Sequence, residues 1–400
     1  MGMTRIVCIA AALFLGLTAS PTAARAQQPT AAEPPQAATT DARQALTPDT
    51  FAGETVADVR APTASGTIPF AFEPGVQLFG EYRLTLPKGA DYFHELDIPR
   101  AWAWMSFRAS DVVGRVLLEA TRAGGEGALI GVGGDSLVLR LREAWVGYRI
   151  AEVVELRIGV VPLPTNAMLT TIWGHRALAP IGLRQVGPYV LIQPSDLGAT
   201  ARLDIPGEWG TVVAALTNGE GYAARELNRG KTFELAAQLH PLAPFRALRP
   251  LTLTLAFQNG STGTGSARAN RWVGGLAWAD PRWGVGVESA WILGLEDRGD
   301  REGVLLEAWG RVEPLDVFPL LLAARFSYLR ADTQAGATTS SLTTFTGAVG
   351  VRVAAPLRVF VAVDTRLADD AFASAVPGLE RTNLRLIVEG NLAGRFEGSL

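Results

Sequence analysis

Few residues in this chain are of a type and spacing that does chemistry, and each candidate lacks a partner its reaction needs. Gly134-Asp135-Ser136-Leu137 spells the tetrapeptide of a serine esterase. That chemistry needs a histidine to take the hydroxyl proton, supplied in such enzymes by an Asp-x-x-His late in the chain. The three histidines are His94, His175 and His240, none in such a motif. The tetrapeptide is more simply a loop entering a strand. Gly230-Lys231-Thr232 has the ending of a phosphate-binding loop, but Arg225 stands where the required first glycine belongs and a strand follows where a helix should. The histidines lie too far apart for a preformed metal site, and no metalloprotease helix or calcium loop occurs. No catalytic residue, metal ligand or cofactor is assigned. A barrel enzyme would need serine and histidine on adjacent exposed strand faces, and no such pair is evident.

The charged residues suggest a different use. Carboxylates occur amid arginines on alternating polar faces, and Lys88 and Lys231 are the only lysines. Residues 1–26 read as a secretory signal: Arg5, an apolar run from Ile6 to Leu17, and Ala24-Arg25-Ala26 as the cleavage site. Cleavage after Ala26 removes Arg5 and Arg25 and takes the net charge from −3 to −5. It also removes Cys8, the single cysteine, which excludes disulfides and a cysteine nucleophile from the mature chain. A near-balanced, slightly acidic chain offers no electrostatic case for nucleic acid. Hydrophobic residues make up 48% of the sequence, yet no mature run approaches the length of a membrane-spanning helix.

The elements that must carry these charges are strands. Residues 27–70 are rich in Ala, Pro, Thr and Gln and read as a disordered lead. From there to residue 400, period-2 alternation dominates. Val76, Leu78, Tyr82, Leu84 and Leu86 fall on one face, with Gln77, Glu81, Arg83 and Thr85 on the other. Leu357, Val359, Val361 and Val363 likewise oppose Arg358, Asp364 and Arg366. About sixteen such strands follow one another, near 76–86, 98–109, 112–122, 136–149, 153–161, 196–205, 209–217, 231–240, 250–259, 271–279, 283–294, 302–312, 319–330, 342–354, 357–367 and 382–400. Their connections alternate between long and tight, with 241–249 as an exception.

That asymmetry predicts an all-β transmembrane antiparallel barrel over 71–400. A soluble β-sandwich also alternates, but its strands are shorter and its loops less asymmetric. Tyr82, Tyr148, Trp209, Trp283 and Tyr328 near strand ends suit interfacial girdles. The bacterial outer membrane is the expected location, with lipid and lipopolysaccharide as neighbours. The 162–195 connection is the third long loop, apolar and proline-rich. It either folds inward to narrow a channel, or covers the rim or contacts another protomer.

Several strand motifs resemble the phosphate-selective porin O and P family. These are Arg142-Glu143-Ala144-Trp145-Val146-Gly147-Tyr148 followed by Leu156-Arg157-Ile158-Gly159-Val160-Val161-Pro162, then Asp196-Leu197-Gly198 and Leu216-Thr217-Asn218-Gly219-Glu220-Gly221. Lys231 through Pro241 and Leu322-Ala323-Ala324-Arg325-Phe326-Ser327 extend the likeness, which covers about a third of the chain. The resemblance implies a homotrimer of sixteen-stranded, water-filled channels passing small ions or solutes, some members favouring phosphate. In that family the preference relies on clustered lysines and an arginine ladder, and the lysines are nearly absent here.

Within the expected barrel, Arg83, Arg115, Arg325, Arg352 and Arg385 fall on inward faces, and Glu81, Glu119, Glu234 and Glu389 share such faces. They form either a ladder for anions or mutual salt bridges. Between Leu156 and Ser195 no acidic residue occurs, while Arg157, His175, Arg176 and Arg184 all do. Together with Arg83 and Arg325 these are the residues expected along an anion path, with Arg157 as a strand neighbour near the loop's root. The function expected is passive diffusion of small hydrophilic solutes with an anion or phosphate preference. The alternative is a non-conducting barrel acting as scaffold or adhesin.

Overall fold

The computed structural model describes residues 69–124, 135–151, 153–186, 189–224, 229–263, 266–295, 298–313, 319–331, 340–354, 356–375 and 379–399. The expected signal and most of the lead lie outside these residues, as does Gly134 of the esterase-like tetrapeptide.

Alternation of side chains produces sixteen barrel strands: β1 (Pro69–Pro87), β2 (Phe93–Ala109), β3 (Val112–Gly124), β4 (Asp135–Ile150), β5 (Val154–Pro162), β6 (Ser195–Ile205), β7 (Gly210–Thr217) and β8 (Thr232–Leu239). The second half comprises β9 (Leu251–Asn259), β10 (Asn270–Ala279), β11 (Trp283–Leu295), β12 (Arg298–Val312), β13 (Leu320–Ala331), β14 (Ser340–Ala354), β15 (Leu357–Ala368) and β16 (Arg381–Ala393). Each pairs antiparallel with the next. β1 pairs with both β2 and β16, so the sheet closes and has no free edge. The closing register runs from Gly75 opposite Ala393 to Pro87 opposite Arg381.

Two boundaries differ from the sequence reading. The last strand breaks at Gly394-Arg395, and Phe396–Ser399 resumes pairing against Pro69–Phe72. This terminal pairing draws β1 back to Pro69, ahead of the alternation that begins at Val76. The second difference is on the long-loop rim, where β11 and β12 extend towards each other until only 296–297 separates them. Elsewhere the asymmetry holds: tight reversals pass through Ser110 and Ala151 with left-handed φ of 54° and 52°, and the other rim carries 163–194, 218–231 and 369–380.

The two faces of the wall are chemically opposite. On β1, Leu78 is 45% exposed and its neighbour Phe79 only 2%. Val287, Trp291, Phe326, Val349, Val361, Leu384 and Leu386 continue the exposed apolar face around the barrel. An apolar belt this extensive is stable against lipid and not against water. Tyr82, Tyr148, Trp209 and Trp283 are exposed on it, as girdle residues would be.

The inner face is less uniformly polar than the alternation suggests. Trp102, Trp309, Leu321, Phe360 and Ile387 point inward and are buried. They belong to one apolar cluster with residues of the third long loop.

Candidate pore constriction

The third loop carries structure that its sequence does not announce. Pro164–Trp173 forms helix α1, with a proline at its start and Gly174 (φ 75°) closing it in the left-handed conformation. No side chain of the loop caps its first turn. Instead the Thr165 N–H donates to Glu234 Oε1 of β8 at 2.5 Å, putting a carboxylate at the positive end of the helix. Buried positions of α1 include polar Thr165, Asn166 and Thr170 beside apolar Met168, Leu169, Ile172 and Trp173, so no single stripe marks it as a helix in the sequence. Beyond it the chain turns through His175 to Arg184, forms a short ribbon of Gln185–Val186 with Tyr189–Val190, and leaves at Ser195.

Four inward groups on separate strands hold this loop inside the barrel. Glu234 is the first. Arg271 of β10 donates to the Leu191 carbonyl at 3.0 Å. Glu307 of β12 accepts the Gly182 N–H at 2.5 Å, and Arg385 of β16 donates to the Leu178 carbonyl at 2.6 Å. Apolar contact supplements these bonds. Trp173 packs edge-on against Trp309, ring centroids 5.8 Å apart, and Tyr189 against Phe372 at 5.3 Å. Gly286, opposite Trp309 in the register, leaves the space that indole fills; a Cβ there would lie 2.5 Å from the ring. Of the two fates open to the loop, the inward fold is the one observed.

The sequence-predicted residues take distinct places. His175 is buried at the far end of the loop's descent, its Nε2 3.1 Å from Glu313 Oε1, which also receives Arg311 at 3.1 Å. Burial pushes the Glu313 carboxyl up, but the bond and charge of His175 and the charges of Arg358 and Arg311 outweigh it and bring it to about 2. Arg176 is buried with its guanidinium 4.8 Å from the centroid of the Trp102 ring. Arg184 is buried as well and reaches the Ile192 carbonyl at 3.5 Å. Arg325 pairs with Glu307 and lies 4.9 Å from the Trp173 ring centroid. Arg83 pairs with Glu81 and with Glu95 at 3.1 Å.

Arg157 is not at the root of the loop. It is the fourth residue of β5, near the short turn, bonded to Glu155 at 2.5 Å and stacked on Trp145. The strand runs from turn to loop, so a residue five positions before Pro162 sits well down the wall. The histidines stand apart: His94 is exposed beside Tyr82, and His240 lies at the start of a short-rim turn.

Where the loop meets β2–β4, arginines gather about buried carboxylates. Glu119, fully buried, forms an ion pair with Arg100 at 2.8 Å and accepts from Arg142 at 2.9 Å, Trp102 Nε1 at 3.0 Å and the Tyr222 hydroxyl. Glu143 receives Arg115 at 3.3 Å. Arg176 and Arg184 join this group from the loop, and Glu389 acts on Arg176 at longer range. Arg100, Trp102 and Arg142 were not singled out in the sequence. Their signal was inward parity: Arg100 and Trp102 alternate with lipid-facing residues inside the strand expected at 98–109.

No protein-family model and no curated protein matches the sequence. Solved structures do match. An anion-selective porin from Comamonas acidovorans superposes with a TM-score of 0.56 at 12% identity, over 81% of this chain and 100% of its own. The fold is that of the outer-membrane porins. OmpF of Salmonella typhi, in complex with daunomycin, gives 0.57 at 14% identity over 80% of this chain and 97% of its own. The trimer form of OmpT, an outer membrane protein of Vibrio cholerae, gives 0.52 at 12% over 81% and 99%. At such identities the likeness is one of porin fold.

Proposed function

We propose that the chain is an outer-membrane porin that lets small hydrophilic solutes diffuse passively and favours anions, phosphate-like oxyanions among them. The single observation that carries this reading is the third loop, bonded to β8, β10, β12 and β16 inside a closed barrel with an apolar outer face. Such a loop narrows a lumen without closing the wall. The anion preference rests on the guanidiniums of Arg100, Arg115, Arg142, Arg176 and Arg184 gathered about Glu119 and Glu143. Buried charges act on a passing ion through their field, which is screened least where the channel is narrow. Export with cleavage after Ala26, assembly as a homotrimer and contact with lipopolysaccharide complete the proposal. They are supported by the signal-like N-terminus, the strand motifs shared with the phosphate-selective porins, and the trimer form of the Vibrio barrel of like fold.

Planar-bilayer recording in a KCl gradient tests the reading. Stepwise conductance with a reversal potential on the chloride side is expected, and Arg176→Glu or Arg184→Glu should move that potential towards potassium. A protein that inserts but never conducts would be a scaffold or adhesin. A cation-selective wild type, or unmoved variants, would remove the arginines from the mechanism.

A further inference from the structure

On the wall away from the arginine cluster, β13–β15 and the loop enclose a small polar recess. It holds about 20 Å³, room for one or two waters, and is lined by Ala179, Pro180 and Gln185 of the loop, by Arg325 and Ser327 of β13, both engaged with Glu307, and by inward residues of β14 and β15. Four of the strand side chains decide its chemistry: Thr344 and Thr346 of β14, and Asp364 and Arg366 of β15. Asp364 is 2% exposed, Arg366 4% and Thr346 6%. Register explains why they converge. Asp364 is directly opposite Thr346, and Arg366 opposite Thr344. Among the described residues none of these four side chains makes a hydrogen bond or ion pair. Arg83, Arg381 and Arg385 act on Asp364 only through their charge.

Asp364 Oδ2 is buried with no bonded donor, which is costly. Whatever occupies the recess must donate to it beside the Arg366 guanidinium, within the space of two waters. An oxyanion suits Arg366 but meets the like charge of Asp364. An ammonium suits Asp364 and meets Arg366. A hydroxyl donates to the carboxylate and accepts from the guanidinium, and two adjacent hydroxyls replace two waters. Thr344 and Thr346 offer further donors and acceptors without adding charge.

We infer that this recess is a docking point for the diol edge of a neutral sugar or polyol passing through the lumen. The inference rests on the porin reading and names a solute class for it. The site holds one edge of the solute, so it slows and orients the molecule without enclosing it. Neutral hydroxylated solutes then have their own contact point, on a wall separate from the arginines that favour anions.

Full-length protein in detergent, titrated with D-glucose by saturation-transfer NMR, tests the docking without needing current. Binding is expected in wild type and should weaken at least tenfold in Asp364→Asn, the loss of one hydrogen bond to a charged group. Thr346→Val should weaken it less. In bilayers, glucose should lower the wild-type current beyond the viscosity effect seen in Asp364→Asn. No glucose binding, or equal binding in all three proteins, overturns the inference. Inorganic phosphate or glycine binding in place of glucose overturns the solute class. Glucose binding that Asp364→Asn abolishes, in a protein that carries no current, supports the site and defeats the porin reading instead.

Discussion

Replacing Gly182 with alanine tests whether the loop's tether to β12 sets the channel's width. Its φ is not in the left-handed region, so alanine fits the backbone and only the added methyl acts. That methyl would stand 2.0 Å from Glu307 Oε2 and 3.0 Å from Ser327 Oγ. The carboxylate must retreat, giving up the Gly182 N–H at 2.5 Å and straining the Ser327 hydroxyl bond at 2.8 Å. Glu307 cannot retreat freely, because it is buried and also pairs with Arg325. Losing one bond to a charged acceptor costs about 1.5–3 kcal/mol, which raises the share of time this segment spends detached by roughly ten- to a hundredfold. The bonds of Thr165, Leu178 and Leu191 remain, so the release is local and the barrel ladder is untouched. Single-channel recording should show added open-channel noise and brief excursions to higher conductance. The boiling temperature needed to shift the gel band should stay within a few degrees of wild type. Gly390→Ala is the control, since a Cβ there meets nothing within 4 Å. A Gly182→Ala trace no noisier than that control would refute the tether.

Three further outcomes follow from the same geometry. Glu313 is held at about 2 against an ordinary 4.5, so its contribution is complete above pH 4.5 and is lost as pH falls towards 2. The difference amounts to at most about 3 kcal/mol; denaturant midpoints at pH 5 and pH 2.5 should differ less in Glu313→Gln than in wild type. Trp102 packs on Phe79, lies within 4.8–5.6 Å of three guanidinium carbons and donates to Glu119. Trp102→Ala should therefore cost about 3–5 kcal/mol by denaturant unfolding, and Trp102→Phe distinctly less. Cross-linking in mild detergent should stop at three protomers; a monomer across several detergents would count against the trimer.

Strand positions were legible because the lipid demands strict alternation. The strand expected at 357–367 is observed as Leu357–Ala368, and 112–122 as Val112–Gly124. The same rule misleads inside the barrel. Trp102, Trp309 and Phe360 have inward parity but apolar character, since they pack against a loop and not against water. That loop's helix was missed for a related reason: all but the face of Ala167 and Thr171 is buried, polar Thr165, Asn166 and Thr170 included, so no polar stripe sets its period. The inward fold was one of two readings, and sequence could not choose between them because the anchors Glu234, Arg271, Glu307 and Arg385 lie 69 to 207 residues beyond the loop residues they bond. Arg157, five residues before Pro162, lies lower on the wall than a place near the loop's root. Each residue of β5 moves about 3.3 Å along the wall.

Net charge is a poor guide to what such a lumen attracts, because most inward charges are already paired. Glu81 and Glu95 hold Arg83 and Arg385, and Glu307 holds Arg325. These pairs cancel locally and leave little field beyond the wall. On the proposed reading, selectivity depends on the local balance of charge, which differs from place to place. Beside β2–β4 it is set by five guanidiniums gathered about Glu119 and Glu143. Beside β13–β15 it is one carboxylate and one guanidinium opposite two threonines, neutral in sum and rich in hydrogen-bonding capacity. The proposed anion preference along one side of the loop and hydroxyl docking along the other are therefore compatible with an expected mature charge of −5. Charge reversal at Arg176 should change ion preference without touching glucose binding, and Asp364→Asn should do the opposite. Variants that moved both properties together would mean that the two walls act as one field.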